Sequence, residues 1–196
     1  MALVQRVQNI CLKPKQEWDV IAGETSSTAD LLKNYALPLA GIAAIAGFIG
    51  ASIVGTSAGP FSNYRLPVGA GLAIAIVELV RQIAAAFILS LAINELAPKF
   101  GAEKNPAQAL KAAVYSFTPA WVAGVLWILP ALGALAALAG LYGIYLAYLG
   151  VPRLMKSPPD RAVPYTAAVV GCGIGILLIT RLIAGAIVGT GLAAAG

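Results

Sequence analysis

The chain contains no histidine, only two cysteines and only eight acidic residues among its 196 positions. The commonest general base and the commonest transition-metal ligand are therefore missing at the outset. Cys11 and Cys172 are too few for a disulfide framework or a thiolate metal cage, and both are expected as reduced thiols. Charge is scarce throughout, at 11% of residues against ~25% in an ordinary soluble domain. What is abundant is apolar side chain: 60% of residues are hydrophobic. A soluble domain of this composition could not cover its own surface, so the sequence is that of a membrane protein.

A helix crossing the ~30 Å hydrocarbon core needs roughly 20 mostly apolar residues, and five such segments fit between the charges. The first runs from about Tyr35 to Thr56. The second runs from about Leu66 to Ala97 and carries Glu78, Arg81 and Glu95. The uncharged stretch between Lys111 and Arg153 holds the third and fourth, turning at Pro130 and Gly133. The fifth begins near Ala162, after the breaker Ser157-Pro158-Pro159-Asp160, and passes Arg181 to about Gly189. The expected fold is all-α, with a tail over residues 1–34 and a five-helix transmembrane domain over 35–196.

Orientation follows from Lys and Arg, because short cytoplasmic loops retain the positive excess. Arg6, Lys13, Lys15 and Lys33 lie in the tail; Lys99, Lys104 and Lys111 in the second loop; Arg153, Lys156 and Arg161 in the fourth. The opposite side has Arg65, an uncharged third loop and the C-terminal segment. The N-terminus is therefore expected inside and the C-terminus outside, in a multi-pass protein of the bacterial inner membrane.

In the tail, Leu3, Val4, Val7, Ile10 and Cys11 recur at helical spacing with Gln5, Arg6, Gln8 and Asn9 between them. That pattern predicts a short amphipathic helix lying on the inner leaflet. Trp18 suits the interface, where its rings are buried and its N–H stays wet. Ser27-x-x-Asp30 reads as a helix cap before the first span, and Pro38 as a kink just after entry.

Intramembrane hydrolysis needs a Ser–His pair or two facing aspartates at depth. Neither exists: Asp19, Asp30 and Asp160 fall outside the spans, and Ser52, Ser90 and Ser116 have no histidine to pair with. Gly171-x-Gly173-x-Gly175 lies within an apolar span and lacks the strand and Lys-Ser/Thr of a phosphate loop. No enzymatic activity, cofactor, metal or nucleic-acid partner is expected. The residues that need an account are Glu78, Arg81 and Arg181, because ionisable groups at membrane depth are costly. Glu78 and Arg81 share a helix face at i, i+3, and Arg181 falls at a depth from which it could bridge to Glu78, with Gln82 and Thr180 completing the hydrogen bonds. The trio is either a clamp between the second and fifth spans or a polar pocket or pathway for an ion or an anionic head group; alternatively Arg181 simply snorkels to the outer interface. Glu95 is expected to pair with Lys99. Gly171 with Gly175, Gly185 with Gly189, and Gly140 and Gly143 read as helix-packing positions, serving the bundle itself or a homo-oligomer. Tyr142, Tyr145 and Tyr148 form a packing stripe.

Four segments remain: Pro14-x-x-x-Trp18-x-x-Ile21, Asn94-x-Leu96-Ala97-Pro98-x-Phe100, Tyr115-Ser116-x-Thr118-Pro119-x-Trp121 and Leu141-Tyr142-Gly143-Ile144-Tyr145-Leu146-x-Tyr148-Leu149-Gly150. Together they resemble the Yip family (Ypt-interacting proteins), in its bacterial branch. The resemblance implies a five-helix integral membrane fold without known catalytic activity and, in eukaryotic members, a role in vesicle trafficking with prenylated small GTPases. Those members carry an acidic Asp-Leu-x-Gly-Pro type motif near the first loop. Here Gly59-Pro60-Phe61 follows Ser57-Ala58, and an acidic N-terminal region is missing, so small-GTPase binding is not expected. The function expected is non-enzymatic and membrane-organising, as a scaffold. A small channel or transporter and a lipid-binding protein are the alternatives.

The cation count makes topology testable. Cysteine probes at Ser62 or Ala194 should label from outside intact cells, and probes at Glu103 or Ser157 should not. Outside labelling at Glu103 would overturn the five-span arrangement.

Overall fold

A computed structural model describes residues 2–59 and 62–195, so Pro60 and Phe61 of the loop motif lie outside the described residues. The protein is helical apart from one short hairpin. Two tail helices, α1 (Leu3–Leu12) and α2 (Pro14–Gly23), precede five helices long and apolar enough to cross a membrane: Thr28–Val54, Val68–Phe100, Pro106–Ile128, Pro130–Leu154 and Pro159–Gly189. Between the first and second spans, β1 (Thr56–Gly59) pairs antiparallel with β2 (Ser62–Tyr64).

Proline and capping residues account for most helix ends and irregularities. The Ser27 hydroxyl accepts from the Asp30 N–H at 3.0 Å and opens the first span. Pro38 cannot donate to the carbonyl four residues back, and the turn before it widens into a π-helix over Leu32–Ala36. The second span ends in a 3₁₀ turn at Ala97–Phe100, closed by Gly101 in the left-handed region at φ +70°. Asn105 caps the third span by accepting from the Gln108 N–H at 3.1 Å. Pro119 breaks that span near Phe117, and its last turns are 3₁₀ over Gly124–Ile128.

The tail does not lie flat on a surface; it docks into one end of the bundle. Ile10, Trp18 and Ile21 are fully buried and join Tyr35, Tyr115, Leu146, Val151, Leu154 and Met155 in one core. Trp18 meets Tyr115 edge-on at 6.1 Å, and Tyr35 meets Tyr115 at 4.7 Å. The indole is not at a wet interface, because Gly150 of the fourth span leaves a hollow that the ring fills: a Cβ there would stand 2.4 Å from Trp18 Cζ2. Arg6, expected on the polar face of α1, is 5% exposed and bonds to both Glu17 and Glu24. Burial opposes its charge, and the Glu24 hydrogen bond with the fields of Tyr115, Glu24 and Glu17 outweighs that, so its pKa is raised. Burial likewise pushes the Cys11 thiol up; Cys11 and Cys172 are both free. Lys111 Nζ donates to the Ile21 carbonyl at 3.2 Å and to that of Glu24, tying the end of α2 to the third span. Tyr142 donates to the Cys11 carbonyl at 2.7 Å, while Tyr145 and Tyr148 stay exposed. Glu95 pairs with Lys104 at 2.5 Å rather than with Lys99, because the loop after Gly101 brings Lys104 back to it.

Close helix crossings occur at other glycines than the small-residue pairs expected. A Cβ at Gly50 would stand 1.9 Å from the Trp127 carbonyl oxygen, and one at Gly124 2.4 Å from Ala43 Cβ. Gly143 does serve packing, since a Cβ there would stand 2.6 Å from the Ser116 carbonyl oxygen. Gly140, Gly171, Gly175, Gly185 and Gly189 meet nothing within 4 Å. The fifth span lies at the edge of the bundle and is the least enclosed of the five, so these four of its glycines face open space rather than another helix.

Gly150→Ala and Gly143→Ala should each destabilise the protein by about 1–3 kcal/mol through overpacking, whereas Gly171→Ala and Gly175→Ala should stay within about 0.5 kcal/mol of the parent. Thermal melting of the detergent-solubilised variants reads the difference.

Candidate functional site

The five spans converge at the end where the tail docks; towards the hairpin the second, fourth and fifth draw apart while the first three stay close at Gly50, Gly71 and Gly124. Leu89 of the second span and Gly173 of the fifth touch near the boundary, a Cβ at Gly173 standing 3.6 Å from Leu89 Cδ1. Beyond it opens a cavity of about 840 Å³ to which all five spans contribute. Its wall is mainly small and apolar, with Ala43, Ala85 and Ala147 beside Phe48, Trp121 and Trp127. The charged residues in the wall are Glu78, Arg81 and Arg181, and Gln82 and Ser116 are their uncharged polar companions.

Glu78 and Arg81 form the fork that their spacing allows. Arg81 Nε donates to Glu78 Oε2 at 2.7 Å, and Nη2 donates to Oε1. Such two-point pairing is stronger and more directional than a single contact. The Arg81 side chain is 8% exposed and that of Glu78 38%, so the cation is the more deeply enclosed partner. Arg81 Nη1 has no hydrogen-bond partner, and neither has the buried Ser116 hydroxyl.

Arg181 shares this cavity without joining the fork. From the Leu89–Gly173 contact, Arg81 and Arg181 each lie eight residues towards the hairpin on antiparallel helices, or ~12 Å along each axis, so the two arginines stand at the same level. Arg181 is exposed and, among the described residues, forms no ion pair with Glu78. Thr180 does not complete the network either: it lies outside the cavity wall, and its hydroxyl donates back to the Ile176 carbonyl at 2.7 Å. Gln82 lines the cavity. The sequence reading missed Ser116 as part of this wall. Its only local sign was a polar residue just before the Thr118-Pro119 break, where the helix ladder is interrupted.

Chemically the site has one carboxylate, already engaged by a guanidinium, and no group of three or more His, Cys, Asp or Glu among the described residues that could hold a metal ion. It can bind and orient; it offers no base–nucleophile pair.

Five apolar helices around a shared core define a multi-pass integral membrane protein. The Yip1 domain family model matches residues 9–180, and the chain belongs to that family. The match takes in both tail helices from Asn9 onward, together with Glu78 and Arg81, and stops one residue before Arg181. No curated protein matches the chain, and no solved structure does.

Glu78→Ala should strand the enclosed Arg81 cation, and breaking such a pair typically costs ~3–5 kcal/mol. Glu78→Gln keeps an acceptor for Nε and should be milder. Arg181→Met removes a side chain with no ion-pair partner among the described residues and should melt within about 0.5 kcal/mol of the parent. Equal melting of Glu78→Ala and the parent would refute a stabilising role for the fork.

Proposed function

We propose that this protein is a non-enzymatic membrane-organising protein that acts by holding a membrane lipid within its bundle. The cavity is the observation that carries the reading: about 840 Å³, apolar over most of its wall and shared by all five spans. That volume lies in the ~300–1,000 Å³ range of small-ligand sites, which are likewise mostly apolar with a few placed polar groups. A dry apolar void of this size in a bilayer would forfeit van der Waals contact all along its lining, and lipid chains are the apolar material at hand. By the cation count the tail, residues 1–34, is a cytoplasmic cap and residues 35–196 are the membrane domain. The cavity then opens in the outer half of a bacterial inner membrane.

A transporter is the second reading, and the Glu78–Arg81 fork at membrane depth favours it. Transport needs the titratable charge itself, whereas a lipid holder needs the shape of the cavity. Native mass spectrometry of the gently solubilised chain should show a retained phospholipid, and proteoliposomes should keep ion and proton gradients intact. A flux abolished by Glu78→Gln, with no lipid retained, would replace the first reading by the second.

A further inference from the structure

We propose that the polar wall of the cavity is a receptor for a singly charged phosphodiester, that of an anionic phospholipid head group, with Arg81 as the enclosed donor and Arg181 as the second. This rests on the lipid-holding reading above and names the class of lipid.

The first support is an unfinished hydrogen-bond set. Arg81 is 9% exposed, and its Nε and Nη2 edge is taken by Glu78. Nη1 has no protein partner. Buried guanidinium N–H groups are normally satisfied, and a phosphate oxygen is the acceptor whose geometry and charge suit them. The second support is charge. Glu78, Arg81 and Arg181 are the charged residues in the wall, so the wall carries one uncompensated positive charge. A monoanion neutralises it, and a dianion would leave an excess of the opposite sign. Arg181 supplies the uncompensated charge at the level of Arg81 across the cavity. The third support is Ser116, 8% exposed with its hydroxyl unpartnered, in the same wall and nearer the packed end. The ester carbonyls of a glycerolipid are acceptors for such a hydroxyl, and a bare inorganic anion held between the arginines would leave it unmet. A metal cation is disfavoured by the same inventory, since the one carboxylate is already bonded.

The test uses the full chain in detergent, exchanged into equal amounts of phosphatidylglycerol, phosphatidylcholine and diacylglycerol and read by native mass spectrometry, with melting in inorganic phosphate as a separate arm. Phosphatidylglycerol should be retained about tenfold over the other two, as expected for one charge-assisted hydrogen-bond set. Arg181→Met should cut that preference while leaving retention of neutral lipid and melting unchanged. The double variant Glu78→Gln/Arg81→Met, which removes the pair together and so avoids stranding a charge, should abolish the preference. Glu78→Gln alone adds one unit of positive charge to the wall and should increase it, an outcome that a purely structural fork would not give. Retention of lipid without head-group preference overturns this proposal and leaves the lipid-holding reading standing, whereas no retained lipid removes both. Stabilisation by inorganic phosphate with no lipid retained assigns the arginines to a free anion and overturns the head-group assignment. A preference that survives in both arginine variants overturns the roles given to those residues.

Discussion

Arg6, buried against Glu17 and Glu24, is the interaction on which the shape of the bundle turns. A cation enclosed to that degree persists only where opposite charge and hydrogen bonds replace its water. The two glutamates come from α2 and the segment just after it, so satisfying Arg6 folds α1 back on α2 and fixes the tail as one unit. Lys111 then holds the end of that unit through backbone carbonyls, and Trp18 enters the hollow over Gly150. The four side-chain charges sum to zero, so this end of the molecule is closed electrostatically as well as sterically.

Everything beyond that end follows from convergence. Within lipid there is no hydrophobic drive between helices, and attraction comes from close backbone approach and interhelical hydrogen bonds. The hydrogen bonds that cross between spans gather near the tail: Tyr35 with Thr118 at 2.8 Å and Tyr165 with the Ile93 carbonyl at 2.6 Å. Towards the hairpin, tight approach continues among the first three spans, at Gly50, Gly71 and Gly124, and between the third and the start of the fourth, where a Cβ at Gly133 would stand 2.7 Å from the Trp127 ring. The second, fourth and fifth spans separate there, and the cavity is the space between a corner that stays packed and helices that do not.

The five spans were legible because charges delimit them and proline and glycine punctuate them, both local features. The Glu78–Arg81 fork was legible for the same reason, three residues apart on one helix. What escaped was set by partners distant in sequence. Arg6 sits among glutamines and an asparagine and reads as a solvated face, yet its partners are eleven and eighteen residues away. Trp18 carries no local sign that Gly150 faces it. The small-residue pairs of the fifth span satisfy the pattern for helix association, but the approaches at Gly50, Gly143 and Gly150 each need a single glycine opposite a carbonyl or a ring. No periodic pattern records that. Arg181 lines the same cavity as Glu78 and Arg81, but spacing along one helix does not determine whether a side chain reaches across to another.

The fifth span is in effect a cantilever. Near its start, Tyr165 is bonded to Ile93 and stacked on Phe100 at 5.3 Å, and Val169 is buried beside it. Farther along, Leu178, Ile179, Leu182 and Ile183 stand exposed, clothed in a bilayer by hydrocarbon rather than by protein. Leaning the anchored end would break a hydrogen bond, a ring stack and a filled core. Leaning the free end mostly exchanges one set of acyl contacts for another, which costs little because lipid tails are as apolar as leucine. The wall formed by this helix is therefore the one that yields sideways into the bilayer at least cost, while the capped end stays packed.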